Sequence, residues 1–306
     1  MILCYSAFER RFMGTLIRKA TEQADRATSR HGVSRLFWLI FLLTLSVRLT
    51  YVFGLKTYTT IEGSELVLVA RSLADTNTFG NPYKIRTGPT ANVAPAYPFL
   101  LSLIYRILGH GVAGEVAQEV LCSIVTSVQY ALLPLASVAA GLPLYIGATA
   151  GLLGAVLPLR LWMETKGSWE TAYAALALVG LFLLTMYYWN RRNFSLRAGA
   201  VQGLAWGGAL LLVPAFLPIL FGFLLSGVSL LPRRDRIAYI RSSIALIVGV
   251  ILALTPWTIR NYYQLGGFVP IRSVLGLQLS INHPELGRKR SPFLNLEEAT
   301  KLKQMG

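Results

Sequence analysis

Charged residues are scarce in this chain of 306 residues, of which Asp, Glu, Lys and Arg make up only 14%. Soluble domains contain about 25% charged residues. Hydrophobic residues make up 54% of the chain and the mean hydropathy is +0.52. This shortage of charge excludes an ordinary soluble domain. The chain is predicted to be an all-α integral membrane protein.

Cysteine and histidine are also rare. Cys4 lies in a basic segment and Cys122 in an apolar run, which excludes a disulfide framework. His31, His110 and His283 are too scattered to predict a metal site. The sequence also lacks the glycine-rich loop that binds nucleotide phosphates. A soluble nucleotide-sugar pocket is therefore not expected, and a donor substrate would arrive through the membrane.

Acidic residues are half as frequent as basic ones, 14 against 29, and the net charge is +15. The basic residues lie in short segments between apolar runs, where the positive-inside bias places them. There they meet anionic lipid head groups. We therefore expect membrane lipids as partners and no nucleic acid. Residues 1–34 are predicted to form a cytoplasmic tail, without a cleaved signal peptide, that orients the first span.

Long apolar runs are abundant. The first, Leu36 to Gly54, approaches the roughly 20 residues that a transmembrane helix needs. The apolar segment 96–109 is shorter, begins with prolines and contains Arg106, so it is predicted to be an interfacial or re-entrant helix. Further spans are predicted at 119–138, 142–159, 171–190, 198–213, 215–231 and 239–257.

This assignment predicts about seven spans, with loop 55–118 wholly on the outer side. It places two arginine clusters in the cytoplasm, as the positive-inside bias requires: Arg191, Arg192 and Arg197, and Arg233, Arg234 and Arg236. Residues 35–260 would be the transmembrane module and 261–306 the start of a later outer loop. We expect a multi-pass protein of a bacterial inner (plasma) membrane with a cytoplasmic N-terminus.

Two outer segments carry acidic residues. Glu62 and Glu65 are three residues apart, a spacing that puts both on one face of a helix if Ser64 to Leu73 is helical. One carboxylate can act as general base toward an acceptor hydroxyl or amine while the other holds the acceptor or a metal. The alternative is a solvated loop. The connection 160–170 is expected outside as well, with Glu164 and Glu170.

Two arginines have alternative interpretations. Arg260 follows Trp257 at the outer end of the last span, so it is either part of an aromatic belt or a ligand for a lipid phosphate. Arg48, inside the first span, either snorkels to the interface or faces a phosphate.

Several short motifs occur in a characteristic order in the loop and at the end of the last span. They are Glu62-Gly63-Ser64-Glu65, Ala70-Arg71-Ser72-Leu73, Phe79-Gly80-Asn81-Pro82, Thr87-Gly88-Pro89-Thr90-Ala91, Ala94-Pro95-Ala96-Tyr97-Pro98, Tyr105-Arg106-Ile107-Leu108-Gly109, Pro256-Trp257-Thr258-Ile259-Arg260-Asn261 and Phe268-Val269-Pro270-Ile271. This order resembles the integral-membrane glycosyltransferases of the GT-C fold, of the family 39 type. That group includes protein O-mannosyltransferases and bacterial aminoarabinose transferases.

The resemblance implies a polyprenyl-phosphate-linked sugar donor, a lipid or protein acceptor and transfer on the outer face of the membrane. A loop carboxylate would be the catalytic base. Glu62 stands where the family has its catalytic Asp, and Gly63 where a second acidic residue often stands, so Glu62 or Glu65 would supply the base. No cofactor is certain, and a divalent cation is compatible. Because family members continue further, the chain is expected to be an N-terminal portion.

The resemblance also suggests roles for other residues. Contacts to the donor phosphate are assigned to Lys84, Arg86 and Arg260, and positioning roles to Asn92, Tyr97 and Asn261. Two alternatives to a transferase are a multi-pass lipid or solute transporter and a non-catalytic truncated relative that binds lipid. Transporters usually contain paired repeats and charges near the membrane midplane, which are not evident in the sequence.

Overall fold

The computed structural model of the protein describes residues 30–59, 63–83, 85–157 and 161–273. This part of the chain is helical and contains no strand. Within it, four helices are long and apolar enough to cross a membrane: Gly32–Leu55, Val112–Ala139, Thr171–Asn190 and Arg233–Leu265. The prediction of an all-α protein is confirmed, and the four helices are consistent with a multi-pass membrane protein.

Eleven α-helices lie in the described ranges. In chain order they are α1 Arg30–Leu55, α2 Glu65–Thr76, α3 Ala96–Leu108, α4 Val112–Ala131, α5 Leu133–Ala139, α6 Leu144–Val156, α7 Leu161–Thr165, α8 Thr171–Asn190, α9 Leu196–Leu212, α10 Leu217–Leu230 and α11 Arg233–Leu265. Short 3₁₀ turns, Thr57–Thr59 and Pro214–Phe216, follow α1 and precede α10.

Helices α1 and α4 run in opposite directions. The Thr57 hydroxyl, just after α1, donates a hydrogen bond to the Glu119 carboxylate near the start of α4, at 2.6 Å. Further back in α1, the Arg48 guanidinium lies 5.1 Å from the ring centroid of Tyr130, near the end of α4. The end of the first long helix therefore meets the beginning of the second.

Helix α8 runs in the same direction as α4 and α5. The Tyr173 hydroxyl is 3.9 Å from the Cys122 sulfur at one end, and the Asn190 amide donates to the Ala139 carbonyl at 3.0 Å at the other. Helix α6 runs back in the opposite direction and packs against α4 and α5, with Gly147 beside Leu133 and Pro134. Its Gly154 lies so close to Tyr130 that a Cβ would overlap the aromatic ring.

Helices α9 and α11 lie side by side in parallel. Cβ atoms at Gly199 and Gly203 would overlap the backbone of Ser242 and Leu246, respectively. Glycines spaced four residues apart thus let the two backbones approach closely. Helix α10, which lies between them in the chain, runs the other way, and the Tyr239 hydroxyl near the start of α11 donates to the Phe223 carbonyl of α10 at 3.2 Å.

Seven helical segments of the described chain thus alternate in direction: α1, α4 with α5, α6, α8, α9, α10 and α11. Of these, α6, α9 and α10 have 13, 17 and 14 residues, fewer than the roughly 20 that span a bilayer. We call the end of the bundle that carries α2 and α3 the loop end. The opposite end, where α9 and α11 begin, is the arginine end.

Helix α3 lies across the loop end. The hydroxyl of Tyr97 donates to the Gly167 carbonyl, and that of Tyr105 donates to Gln118 at 2.8 Å. Gln118 itself donates to the Gly167 carbonyl, so hydrogen bonds connect both ends of α3 to the region around Gly167. Its opposite edge exposes Phe99, Leu103 and Ile107. The predicted interfacial segment 96–109 corresponds to this helix.

Candidate functional site

The site is built around a hairpin-like turn formed by residues 79–83 and 85–92, which we call the first-loop hairpin. Gly80 and Pro89 form an isolated antiparallel bridge. Asn81 has a left-handed backbone (φ 55), and its side-chain oxygen accepts hydrogen bonds from the amides of Thr87 and Gly88 at 3.0 and 2.9 Å. A Cβ on Gly80 would overlap the Gly88 carbonyl, so only glycine fits this close approach.

Glu65 is the first residue of α2 and contacts this hairpin. Ser64 caps the helix by accepting a hydrogen bond from the Val67 amide. The Glu65 carboxylate, in the first turn, interacts favourably with the positive end of the helix dipole. The Asn92 amide donates to Glu65 Oε2 at 2.8 Å. Burial, and then the nearby negative charge of Glu65, raise the pKa of Tyr83. The carboxylate is thus held beside an amide and a protonated phenol.

Arg260, near the end of α11, contacts the other side of the hairpin. Its guanidinium donates to the carbonyls of Thr90 and Phe79, both at 2.7 Å, and to the Asn261 side chain at 3.0 Å. It lies 4.9 Å from the ring centroid of Trp257 and 5.3 Å from that of Phe79. Three of the five N–H donors of a guanidinium are used in this way. The residue therefore anchors the first loop to the last long helix.

The structure thus brings Glu65 and Arg260 to one hairpin, through Asn92 and Thr90, which are two residues apart. The two side chains are separated by 195 residues in sequence. Ser273 strengthens the same contact, because its amide donates to the Ala91 carbonyl at 2.8 Å.

A groove of about 620 Å³ opens next to Arg260, between the first loop, α3 and α11. Its walls are mostly apolar and include Phe79, Phe99 and Trp257. The ring centroids of Phe79 and Trp257 are 4.7 Å apart, so these walls are packed aromatic surface. The groove combines an apolar wall with one guanidinium, an arrangement that suits a lipid with an anionic head group.

A second groove of about 470 Å³ lies on the other side of α3, between α8 and α9. Tyr97, Leu100, Tyr173 and Leu181 are among its lining residues. No charged residue lines it, so it suits hydrocarbon alone.

The remaining predicted site residues are placed as follows. Glu62 and Lys84 lie outside the described residues. Arg86 is exposed at the hairpin. Tyr97 is buried and fastens α3 to Gly167, and Asn261 is buried and donates to the Val269 carbonyl at 2.8 Å. In the described part of the chain, no group of three or more His, Cys, Asp or Glu side chains could hold a metal ion.

A buried ion pair below the loop end was not predicted. Arg48 is fully buried and pairs with Glu164, which also accepts a hydrogen bond from the Tyr130 hydroxyl at 2.8 Å. Arg48 is seven residues before the end of α1, about 10 Å below it. The Arg48 side chain therefore does not snorkel to an interface. Glu164 lies in the connection between α6 and α8, but its carboxylate is buried in the bundle. Its partner is 116 residues away, so no local pattern indicates the pair.

A second buried pair lies nearer the loop end. Lys166 is 3.2 Å from Glu119 and also donates to the Thr57 carbonyl at 2.8 Å. Beside it, Glu115 pairs with Arg71 of α2 at 3.5 Å. The acidic residues at 115 and 119, four apart in an otherwise uncharged helix, are the sequence signal that could have indicated these pairs.

Glu170, by contrast, stays near the surface at the start of α8. It is half-buried, and its Oε2 atom is buried without a hydrogen-bond partner among the described residues. Burial raises the pKa of this carboxyl, while its own backbone amide and the charge of Arg272 act in the opposite direction.

No protein-family model matches this chain, and no curated protein matches it. The resemblance to GT-C glycosyltransferases therefore depends on the motifs in the sequence and stays a prediction.

Proposed function

We propose that the protein is a membrane glycosyltransferase that transfers a sugar from a polyprenyl-phosphate-linked donor to a lipid or protein acceptor at the loop end. The observation that supports this most directly is the first-loop hairpin, which contacts both Glu65 and Arg260 beside an apolar groove. A polyprenyl-phosphate sugar matches these three features: its hydrocarbon chain fits the apolar groove, its phosphate suits Arg260, and its sugar would lie near Glu65.

The proposed reaction uses these residues in three roles. Glu62 or Glu65 takes the proton of the acceptor hydroxyl or amine. The acceptor oxygen or nitrogen then bonds to the anomeric carbon as the bond from that carbon to the phosphate oxygen breaks. Polyprenyl phosphate leaves with the bonding electrons, and the Arg260 guanidinium offsets its charge. Asn92 orients the Glu65 carboxylate, and Phe79 and Trp257 border the lipid.

The finer topology belongs to the same proposal. We propose that all seven alternating segments cross the membrane, with the loop end on the outer side and the N-terminus in the cytoplasm of a bacterial cell. The alternating directions of the helices support this count. The short segments α6, α9 and α10 would cross with the help of their flanking turns or a locally thinner bilayer.

The test is sugar transfer by the full chain in proteoliposomes with a polyprenyl-phosphate sugar. We expect the double variant Glu62→Gln/Glu65→Gln to lose at least 100-fold in rate, since general-base catalysis contributes about 10²- to 10⁴-fold. Asp75→Asn, an exposed carboxylate on α2, is the matched control and should retain activity. Full transfer by the double variant would refute the assignment of the base.

A transporter is the second candidate, and the buried ion pairs favour it. Arg48 with Glu164, and Lys166 with Glu119, are charges inside the bundle, which often mark substrate or ion pathways. Uptake of solute or flipping of lipid by proteoliposomes, without any sugar transfer, would favour this alternative.

A further inference from the structure

The arginine end has a strongly one-sided charge. The turn after α8 and the first three turns of α9 and α11 carry seven arginines: Arg191, Arg192, Arg197, Arg233, Arg234, Arg236 and Arg241. Asp235 is the only acidic residue between positions 171 and 273. Seven arginines and one aspartate leave a net charge of +6 on these three segments.

These arginines belong to one surface, because the segments that carry them pack together. Arg192 is paired with Asp235 at 3.1 Å, which joins the turn after α8 to the start of α11. The Ser242 hydroxyl donates to the Ser195 carbonyl at 3.2 Å. Beneath them the Tyr239 ring contacts Phe194, with centroids 5.5 Å apart. We call this surface the arginine face.

Several guanidinium groups of the arginine face are held in place before any ligand binds. Arg191 lies 4.2 Å from the ring centroid of Tyr187 and donates to its hydroxyl at 2.8 Å. Arg236 donates from Nε to the Leu231 carbonyl at 2.9 Å. Others extend outward, and the Arg234 side chain is 86% exposed. Fixed guanidinium groups lose little conformational entropy when they bind an anion.

Exposed apolar side chains lie close to these arginines in the chain. Leu230, Ile237 and Leu196 are 72%, 65% and 64% exposed. Ile237 follows Arg236, and Leu196 precedes Arg197. A layer of charge next to a layer of exposed hydrocarbon side chains matches the boundary between lipid head groups and acyl chains. A nucleic acid or an acidic soluble protein offers no apolar phase for these side chains.

We propose that the arginine face is a binding site for anionic phospholipids, in which guanidinium groups hold the head-group phosphates and the adjoining apolar residues contact the acyl chains. This site lies at the opposite end of the bundle from the first-loop hairpin and does not depend on the proposed transferase activity. A guanidinium binds phosphate oxygens in a bidentate manner, which gives such a site a defined geometry as well as charge.

The experiment measures phospholipid binding to the purified full chain in a neutral detergent by native mass spectrometry. Phosphatidylglycerol and phosphatidylcholine with identical acyl chains are the two probes. We expect phosphatidylglycerol to bind at least tenfold more tightly, and raised salt to weaken it. Equal binding of the two lipids would overturn the proposal, because the acyl chains alone would then account for it.

Matched double variants separate a local site from overall charge. Arg197→Gln/Arg234→Gln removes two exposed arginines of the face, whereas Lys56→Gln/Arg106→Gln removes two exposed cations at the loop end. At about 1 kcal/mol per cation near a lipid surface, or roughly fivefold each, the first variant should bind phosphatidylglycerol about 25-fold more weakly. The second should bind normally. An equal loss in both variants would overturn the proposal.

A charge-conserving variant checks that the loss is not due to misfolding. Arg197→Lys/Arg234→Lys keeps both charges but removes the bidentate geometry, so it should bind phosphatidylglycerol more weakly than the unaltered protein and more tightly than the Gln variant. Binding as weak as that of the Gln variant, with an unchanged thermal midpoint, would overturn the contribution of charge at this surface.

Discussion

The buried pair of Arg48 and Glu164 makes a sharp prediction about stability. Both side chains are buried, and the carboxylate also accepts the Tyr130 hydroxyl. In Glu164→Gln the Arg48 charge remains in the bundle with the carbonyls of Gly154 and Ala155 as its other partners, at 3.3 and 3.2 Å. Breaking a buried pair in this way costs about 3–5 kcal/mol.

The double variant Arg48→Met/Glu164→Leu tests whether that cost comes from the orphaned charge. Replacing both members of a buried pair by apolar residues is often nearly neutral, since two desolvated charges are removed together. We therefore expect the single variant to lower the thermal midpoint by roughly 10 °C, given about 2–4 °C per kcal/mol for a chain of this size. The double variant should recover most of that loss.

Cys122 provides the assay. Its side chain is buried in the helical bundle, so in a Cys4→Ser background a thiol-reactive dye reports unfolding of the bundle directly. Asp75→Asn, whose carboxylate is 59% exposed, is the control and should shift the midpoint little. The cost would not come from an unpaired Arg48 charge if Glu164→Gln were as stable as the unaltered protein. The same conclusion would follow if the double variant were less stable than the single one.

Three further changes have predicted outcomes. Gly203→Val should destabilise the protein by at least 1–3 kcal/mol because its Cβ would overlap the Leu246 backbone, whereas Gly208→Ala, with open space around it, should be neutral in the same melt. Arg260→Lys should increase amide hydrogen exchange in the first-loop hairpin, since one ammonium cannot span the carbonyls that the guanidinium now joins; unchanged exchange would contradict this anchoring role. The raised pKa of Glu170 means that the folded state binds its proton more tightly than the unfolded state does, so this group costs stability as the pH rises above about 4.5. Glu170→Gln should thus be more stable than the unaltered protein at pH 7, with a smaller difference at pH 4, as measured by midpoints at both pH values.

Much of the helical architecture was predictable because apolar runs and helix breakers are local signals. Segment 96–109 and helix Ala96–Leu108 agree closely because Pro95 and Gly109 flank the apolar run. The start of α4 was placed at 119, but the helix begins at Val112. Glu115 was placed in the loop because a carboxylate is unusual in a membrane helix, and its distant partner Arg71 offsets that charge.

The candidate site was only partly predictable, for a related reason. The residue types of Glu65 and Arg260 indicated chemistry, but their common contact with the first-loop hairpin joins segments 170 residues apart. A contact between segments so far apart leaves no periodic pattern in the sequence. The same limit hid Glu164, whose position in the bundle is determined by Arg48 and Tyr130 and not by its neighbours in the chain.

We propose that the donor binds at the loop end, on the outer face of the membrane. Thiol labelling of intact proteoliposomes, in a background without Cys4 and Cys122, is the experiment to do first. Thr78→Cys lies in the wall of the groove and Ser195→Cys is exposed at the arginine end. We expect the two cysteines to label from opposite sides and a polyprenyl-phosphate sugar to protect only Thr78→Cys. Labelling of both from one side, or no protection by the donor, would exclude a donor site at this position.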